Sequence, residues 1–521
     1  MKILLASGLG RCASAGLVLI AFCFSSAVAQ QAAVAAVHQG NGIKIGEVSA
    51  DSAVIWTRLT AAPEANWTGA AFLPPSVPDA KLPPAAKKAG ASEENRHRAI
   101  SLVADPATQL PPGRTLAQMH GALPGAAGSV RITLRPADSG APVETPWTAV
   151  DPARDHTAQF TLRPLRAGTA YRVRVESRDA AGQAGAITEG SFRTAPAPTA
   201  AAPVKFAIIT CGDYPRRDDP ANGHRLFDTL RRAGYDFAVH TGDVEYYDKP
   251  DPWATSAALA RFKWNRLFAL PFPRDFHRTT PVYYMNDDHD ILTNDCWPGM
   301  THGRLTWAEG LAIWDEQVPI SPLPYRTFRH GRDVQIWIVE GRRWRSANTA
   351  PDGPDKTIMG AEQKAWLSRT LAASDATFKI IVSPTPIVGP DRGNKNDNHA
   401  NAGFRHEGDE LRRLLAAHKN LITTNGDRHW QYFSIDPTTG LREFGCGPMS
   451  DVHAGGYSPQ PGDEAIQKFF RLKGGFLSIA TTPGTTAAAT RLLVQHHAID
   501  GTITHRAELD ATGKLLRAGP P

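Results

Sequence analysis

Four short polar clusters each follow an apolar run in this 521-residue sequence. Cys211, Gly212 and Asp213 come after residues 204–210, and Gly242 and Asp243, with Tyr246 three positions on, come after Phe237–His240. Asp287, Asp288, His289 and Asp290 come after residues 282–285, and Gly426, Asp427, Arg428 and His429 after residues 421–424. Carboxylates seldom sit at the ends of buried strands unless a cation or a partner is there. Ligands collected from several strand-end loops at one sheet edge are what a two-metal phosphoester-cleaving centre requires.

Each residue type suits a part of that chemistry and also has a plainer reading. Asp243 leaves a strand through a glycine and would bridge two cations; otherwise it is a loop or capping aspartate. Tyr246 as a phenolate suits ferric iron, and otherwise is a hydrogen-bonded core tyrosine. Cys211 would bind as a thiolate, its pKa lowered by a cation, or pack as a small hydrophobe. Asp213 is a further ligand or the organiser of the next turn. Among the three crowded carboxylates near 288, Asp288 is the expected ligand. Protonated His289 would donate to a phosphoryl oxygen or to the leaving group. Asp427 and His429, two positions apart, point to one side of an extended segment. Asp427 is the expected ligand there, and His429 a ligand or its support. Arg342, Arg345 and Arg428 would hold phosphate by forked hydrogen bonds, or are structural or solvated, and Asn396, Asp397 or Asn398 would add an amide or carboxylate, or belong simply to a loop.

The elements that must position these groups divide the chain in two. Residues 36–198 read as all-β, with a turn and strand over 46–58 and strand-like runs at 159–162 and 171–177. A Pro-, Ala- and Gly-rich insertion at 63–128 reads as long, partly mobile loops, and 195–203 as a stiff linker. From 204 to 521 strands and helices alternate. Helices are expected over 222–232, 360–374 and 408–418, strands over 204–210, Phe237–His240, Phe378–Ser383 and 421–424, and a hairpin at Asp500 and Gly501.

Composition sets the class. Hydrophobic residues make up 42% and charged residues 21%, which excludes wholesale disorder. The net charge of +6 is scattered, with no nucleic-acid-binding stripe. Lys2 and Arg11, an apolar stretch over 15–24, and Ala27, Val28 and Ala29 read as a signal peptide ending at residue 29. The mature chain is thus expected to be periplasmic or secreted, by the Sec route, with no transmembrane segment. Cleavage leaves Cys211, Cys296 and Cys446, of which Cys296 and Cys446 are a candidate disulfide.

At these residues, from about 42 to near 448, the chain resembles the PhoD-like alkaline phosphatases, a branch of the calcineurin-like metallophosphoesterases. Gly242, Asp243 and Tyr246 match a GDxxY pattern shared with purple acid phosphatases. Residues 287–290 resemble the family's DDHE segment, and 426–429 its late GDxH segment. Residues 46–58 resemble the opening of its N-terminal fibronectin-like sandwich. The resemblance implies an α/β layered core of two packed mixed sheets flanked by helices, preceded by an all-β fibronectin- or Ig-like sandwich. It implies Fe(3+) and Ca(2+), with Zn, Mn or Mg as alternatives, on Cys211, Asp243, Tyr246, Asp288 and Asp427, and Asp213 is kept as a sixth candidate. His289, Arg428 and His429 are the expected catalytic residues, and a metal-bound hydroxide would attack the phosphorus of a phosphate-ester substrate in line. The sequence departs from the pattern at Gly212 and Asp213, at Asn286 and at Asp290. Rival readings are a phospholipase D-like phosphodiesterase and a non-catalytic extracytoplasmic binding protein on the same scaffold.

Overall fold

The structure, a computed structural model, describes residues 36–521. The signal-peptide reading of residues 1–29 lies outside the described residues.

Two large sheets face each other. In the ten-stranded sheet, Val204–Ile209, Phe237–His240 and Val282–Tyr284 run parallel side by side. The seven-stranded sheet is centred on Val334–Ile338, Phe378–Ser383 and Leu421–Asn425, also parallel. Alternate side chains explain why these strands read as unbroken apolar runs: both of their faces are covered. Phe206, Ile208, Val239 and Tyr283 meet Ile336, Ile380, Ile422 and Phe444 in the core between the sheets. Ala207, Ile209 and Ala238 point the other way, onto Leu226 and Leu230 of helix Arg225–Ala233 and Trp264 of helix Ala257–Ala269. Helices Ala361–Ala373 and Arg405–Ala416 cover the outer face of the second sheet through Leu367, Leu371, Leu411 and Leu415. The layered α/β core expected from the sequence is therefore present, with helices and strands within a few residues of their expected bounds. The hairpin at Asp500 and Gly501 joins Arg491–His497 to Ile503–Asp510.

The N-terminal β region is joined to the large sheet. A five-stranded sheet built on Gly128–Pro136, Ala170–Asp179 and Ala184–Arg193 shares one core with Ile43–Gly46 and Ala53–Arg58. Those last two strands, with Thr157–Leu162, also extend the ten-stranded sheet, because Gly46 pairs in parallel with Val282. A side chain at Gly46 would collide with Pro319 O, 2.5 Å from the position of its Cβ. Lys44 Nζ donates to Gln317 O at 2.6 Å and Trp56 Nε1 to Glu316 O at 2.8 Å. Residues 36–521 accordingly form one compact unit, and the 195–203 stretch marks a change of composition rather than a gap between bodies.

The insertion at 63–128 is not loops alone. It contains helix Glu93–Ser101, whose N-cap Ser92 accepts from Asn95 N, and it packs Met119 and Ala122 on Phe262. The helix escapes a reading by periodicity because it buries only Ile100 and Ser101. The disulfide expectation is also corrected: Cys211, Cys296 and Cys446 are all free and buried. Cys296 Sγ lies on Asp288 O and Cys446 Sγ on Asn425 O, so the two thiols serve different loops. Among the described residues no helix is long and apolar enough to cross a membrane.

Candidate metal centre

The four polar clusters come together where the strands end. Three of their residues have left-handed backbone: Cys211 at φ 57°, Asp243 at 56° and Asp427 at 61°. Such geometry is uncommon outside glycine and tends to be kept where function requires it. The loops also approach too closely for side chains. A Cβ on Gly242, whose φ is 98°, would sit 2.5 Å from Asp287 Cβ. One on Gly426 would sit 2.2 Å from Thr241 Oγ1 and 2.4 Å from Thr210 Oγ1. Gly426 belongs to the seven-stranded side and the threonines to the ten-stranded side, so this contact closes the two sheet edges over one another. An isolated bridge between Thr210 and Pro448 does the same.

Asp243 is the hub. Three sets of side chains each bring ligand atoms within 4.8 Å of one another: Cys211, Asp243 and His429; Asp243, Asp288 and His289; and Asp243, Asp287 and Asp427. Asp243 belongs to all three. Its Oδ2 accepts from Tyr246 OH at 3.0 Å and lies 3.4 Å from Cys211 Sγ. Its Oδ1, and Oδ2 of Asp287, are buried with no hydrogen-bond partner. Unpartnered buried carboxylate oxygens are costly, and a cation is the usual remedy. The donor set of thiol, phenol, imidazole and carboxylates fits one or two metal ions.

The electrostatics agree. Burial and then the neighbouring Asp243 push the Cys211 thiol well above its usual range, and the same causes raise Tyr246. Burial, reinforced by Asp288, Asp287 and Asp427 against His289, also raises Asp243. Asp427 is pushed up to about 6, chiefly by burial, with Asp397 and Asp288 outweighing part of the attraction of Arg428. Cys211, Asp243, Tyr246 and Asp427 thus resist ionising, whereas Asp288, despite its burial, is held below the usual carboxylate range by Arg342 and His289.

His289 lies at the rim of this group. Its Nδ1 is 2.6 Å from Asp248 Oδ1, and its ring packs on Tyr246 with centroids 4.2 Å apart. Burial works against its charge, but Asp248, Asp288 and Asp243 prevail and lift its pKa to about 10. Asp248 was not singled out from the sequence, although it lies only two positions past Tyr246. His453 was also missed. Its ring packs at a tilt on His429 with centroids 4.0 Å apart, and its Nδ1 is 3.2 Å from Cys211 O. A lone histidine in a glycine-bearing loop offers no sequence signal.

Other expected residues are placed differently. Asp290 takes the backbone N–H groups of Asp243, Val244, Glu245 and Asp287 at 2.8–3.0 Å, so this residue at the Glu position of DDHE ties the two loops together. Asp213 is buried beside Arg216, 3.5 Å away, and joins none of the three ligand sets. The arginines already hold acidic-loop partners, although Nε and Nη1 of both Arg345 and Arg428 are buried without a hydrogen-bond partner. Arg428 Nη2 is shared by Asp427, Asp391 and Asp397 at 2.8, 3.0 and 3.1 Å. Arg342 Nε donates to Asp287 Oδ1 at 2.5 Å and Arg345 donates to Asp397 O. All three are buried, and they hold the acidic loops from behind. Asn398 likewise serves Asp391 and Asp397. The sequence shows the charges of these residues but not their partners.

The sequence profile of the family described as "PhoD-like phosphatase" matches residues 206–473, just over half of the chain. Alkaline phosphatase D of Bacillus subtilis is 25% identical over 232 residues, covering 37% of this chain and 39% of that protein. Tartrate-resistant acid phosphatase type 5 of Sus scrofa is 22% identical over 212 residues, 38% of this chain and 57% of that one. The chain therefore aligns with less than two thirds of either relative. Among solved structures, PhoD superposes with a TM-score of 0.66 at 15% identity, covering 92% of both chains. A purple acid phosphatase from yellow lupin seeds gives 0.57 at 12% identity, covering 90% of this chain and 74% of its own. At those identities the structures attest the fold. Together with the profile match, they establish that the chain belongs to the PhoD-like phosphatase family.

Proposed function

We propose that the protein is an exported, metal-dependent phosphoric ester hydrolase of the alkaline phosphatase D type. The observation that carries this reading is Asp243, a buried carboxylate shared by three ligand sets and left with an unpartnered oxygen. Cys211, Asp243 and Tyr246, with His429 beside them, would hold ferric iron. Asp243, Asp288 and Asp427, supported by Asp287, would hold calcium, which accepts flexible cages of oxygens. When bound, the cations would supply Lewis acidity that activates water and neutralises charge developing on the phosphoryl oxygens.

The chain's own residues then do the positioning and proton handling. His289, with Nδ1 engaged by Asp248, keeps Nε2 for the substrate and can donate a proton to the leaving oxygen. Arg342 and Arg428 are positioning residues: each holds carboxylates of the ligand sets in place. Burial of Cys211, Asp243, Tyr246 and Asp288 excludes bulk water and strengthens every charge interaction there.

Two measurements test the proposal. Metal-replete protein is expected to hydrolyse a small phosphomonoester or phosphodiester. Turnover confined to phospholipid would favour the phospholipase reading, and no turnover of any ester would favour a binding protein. Tyr246 on ferric iron would give a visible charge-transfer band that vanishes in Tyr246→Phe. Iron-free, colourless protein with full activity would remove iron from the reading.

A further inference from the structure

The insertion at 63–128 reaches the active centre, where three of its residues grip one loop of the catalytic half. Arg98 Nη2 is 2.9 Å from Asp248 Oδ2 and 2.8 Å from Thr293 Oγ1. Glu94, one turn earlier on the same helix, faces Lys249 Nζ at 3.5 Å. Gln109, itself buried, exchanges two hydrogen bonds of 2.9 Å with the backbone of Trp253. All three partners, Asp248, Lys249 and Trp253, lie in the stretch that follows Tyr246.

Asp248 is the junction. One oxygen takes His289 Nδ1 at 2.6 Å; the other takes Arg98, Thr293 Oγ1 at 3.1 Å and Asn294 N at 3.1 Å. A carboxylate held on both oxygens cannot rotate, and it fixes the plane of the imidazole that it contacts. The Arg98 side chain is 37% exposed while Asp248 is 1% exposed. A half-open ion pair adds little to stability, so a role for it lies in orientation.

We infer that Arg98 is a positioning residue for His289, acting through Asp248, and that the active centre is incomplete without the insertion. The chain from insertion to site is Arg98, Asp248, His289. Its first contact crosses 150 residues of sequence and its second 41. The other anchors, Glu94 and Gln109, dock the insertion without touching His289 or its partner. This deepens the phosphoesterase reading and rests on it for the kinetic part of the test.

The test uses the full chain in two states. In metal-free protein with ¹⁵N-labelled histidine, the His289 ring signals, assigned by their loss in His289→Gln, report the Nδ1 contact. Arg98→Ala should shift or broaden them, as Asp248→Asn does, and Glu94→Ala should leave them unchanged. Signals unmoved by Arg98→Ala would overturn the inference whether or not the protein turns over any substrate. In metal-replete protein, Arg98→Ala should lower kcat for a small phosphomonoester about tenfold with KM within twofold. Arg98→Lys should restore part of the loss, and Arg98→Ala should add little on top of Asp248→Asn. Equal kcat in Arg98→Ala and Glu94→Ala would overturn it, as would a fall in kcat that merely follows lost metal or lost fold. An inactive wild type with the expected ring signals would fault the phosphoesterase reading and leave the Arg98 contact standing.

Discussion

The central parallel strands end differently at their two edges. Beyond Ile209, His240 and Tyr284 the chain enters left-handed backbone at Cys211 and Asp243, and carboxylate oxygens are left unpartnered. Toward the other side of the same strands, polar groups are matched. The Tyr283 hydroxyl donates to Val48 O and lies 3.2 Å from His330 Nε2, and His330 stacks on Phe237 at 4.2 Å. One edge keeps strain and unmatched charge while the other keeps ordinary packing. Concentrating the unfavourable terms at one rim lets the remaining core stay native-like, which is how a fold carries a reactive site.

Substitutions on the two sides should therefore separate activity from stability. The largest effect is expected at the hub. Asp243→Asn should lower turnover by about two to three orders of magnitude, with loss of bound metal measured by elemental analysis. Near-normal turnover would remove Asp243 from the bridging role. Gly242→Ala comes next, since its Cβ would meet Asp287 Cβ at 2.5 Å in a backbone with φ 98°. Turnover should drop about tenfold with a destabilisation of about 1–3 kcal/mol, read by thermal melting. Equal loss in a substitution at the packed edge would erase the distinction between the edges.

The smallest effect concerns pH at the packed edge. Burial depresses His330 to about 3 from an ordinary 6.5. A histidine kept neutral in the folded chain contributes stability fully above pH 6.5, and that stability is lost as pH falls toward 3. His330→Phe, which keeps the ring and removes the proton, should shift acid unfolding to lower pH without changing turnover at neutral pH. An unchanged acid midpoint would show that this edge does not limit acid stability.

Much of this was legible from the residues. Strands such as Phe237–His240 and Phe378–Ser383, covered on both faces, read as unbroken apolar runs, and polar clusters after such runs marked the site. What failed to read was non-local. The pairing of Gly46 with Val282 leaves no local trace, so the β region looked separate. That Arg342, Arg345 and Arg428 hold Asp287, Asp397 and Asp427 did not read, because a sequence records charges and not their partners. Arg98 stands 150 residues before Asp248, in a stretch whose weak periodicity said only that it was irregular.

The shared strand pairing also decides how portable the catalytic half is. Val282–Tyr284 is fully buried and has Ile43–Gly46 as its neighbour on one side. A fragment starting at residue 204 would bare the backbone of that strand as an open apolar border, the kind that recruits other chains. The N-terminal strands thus serve as a seam allowance: trimmed away, they would leave a catalytic half prone to stitch itself to its neighbours.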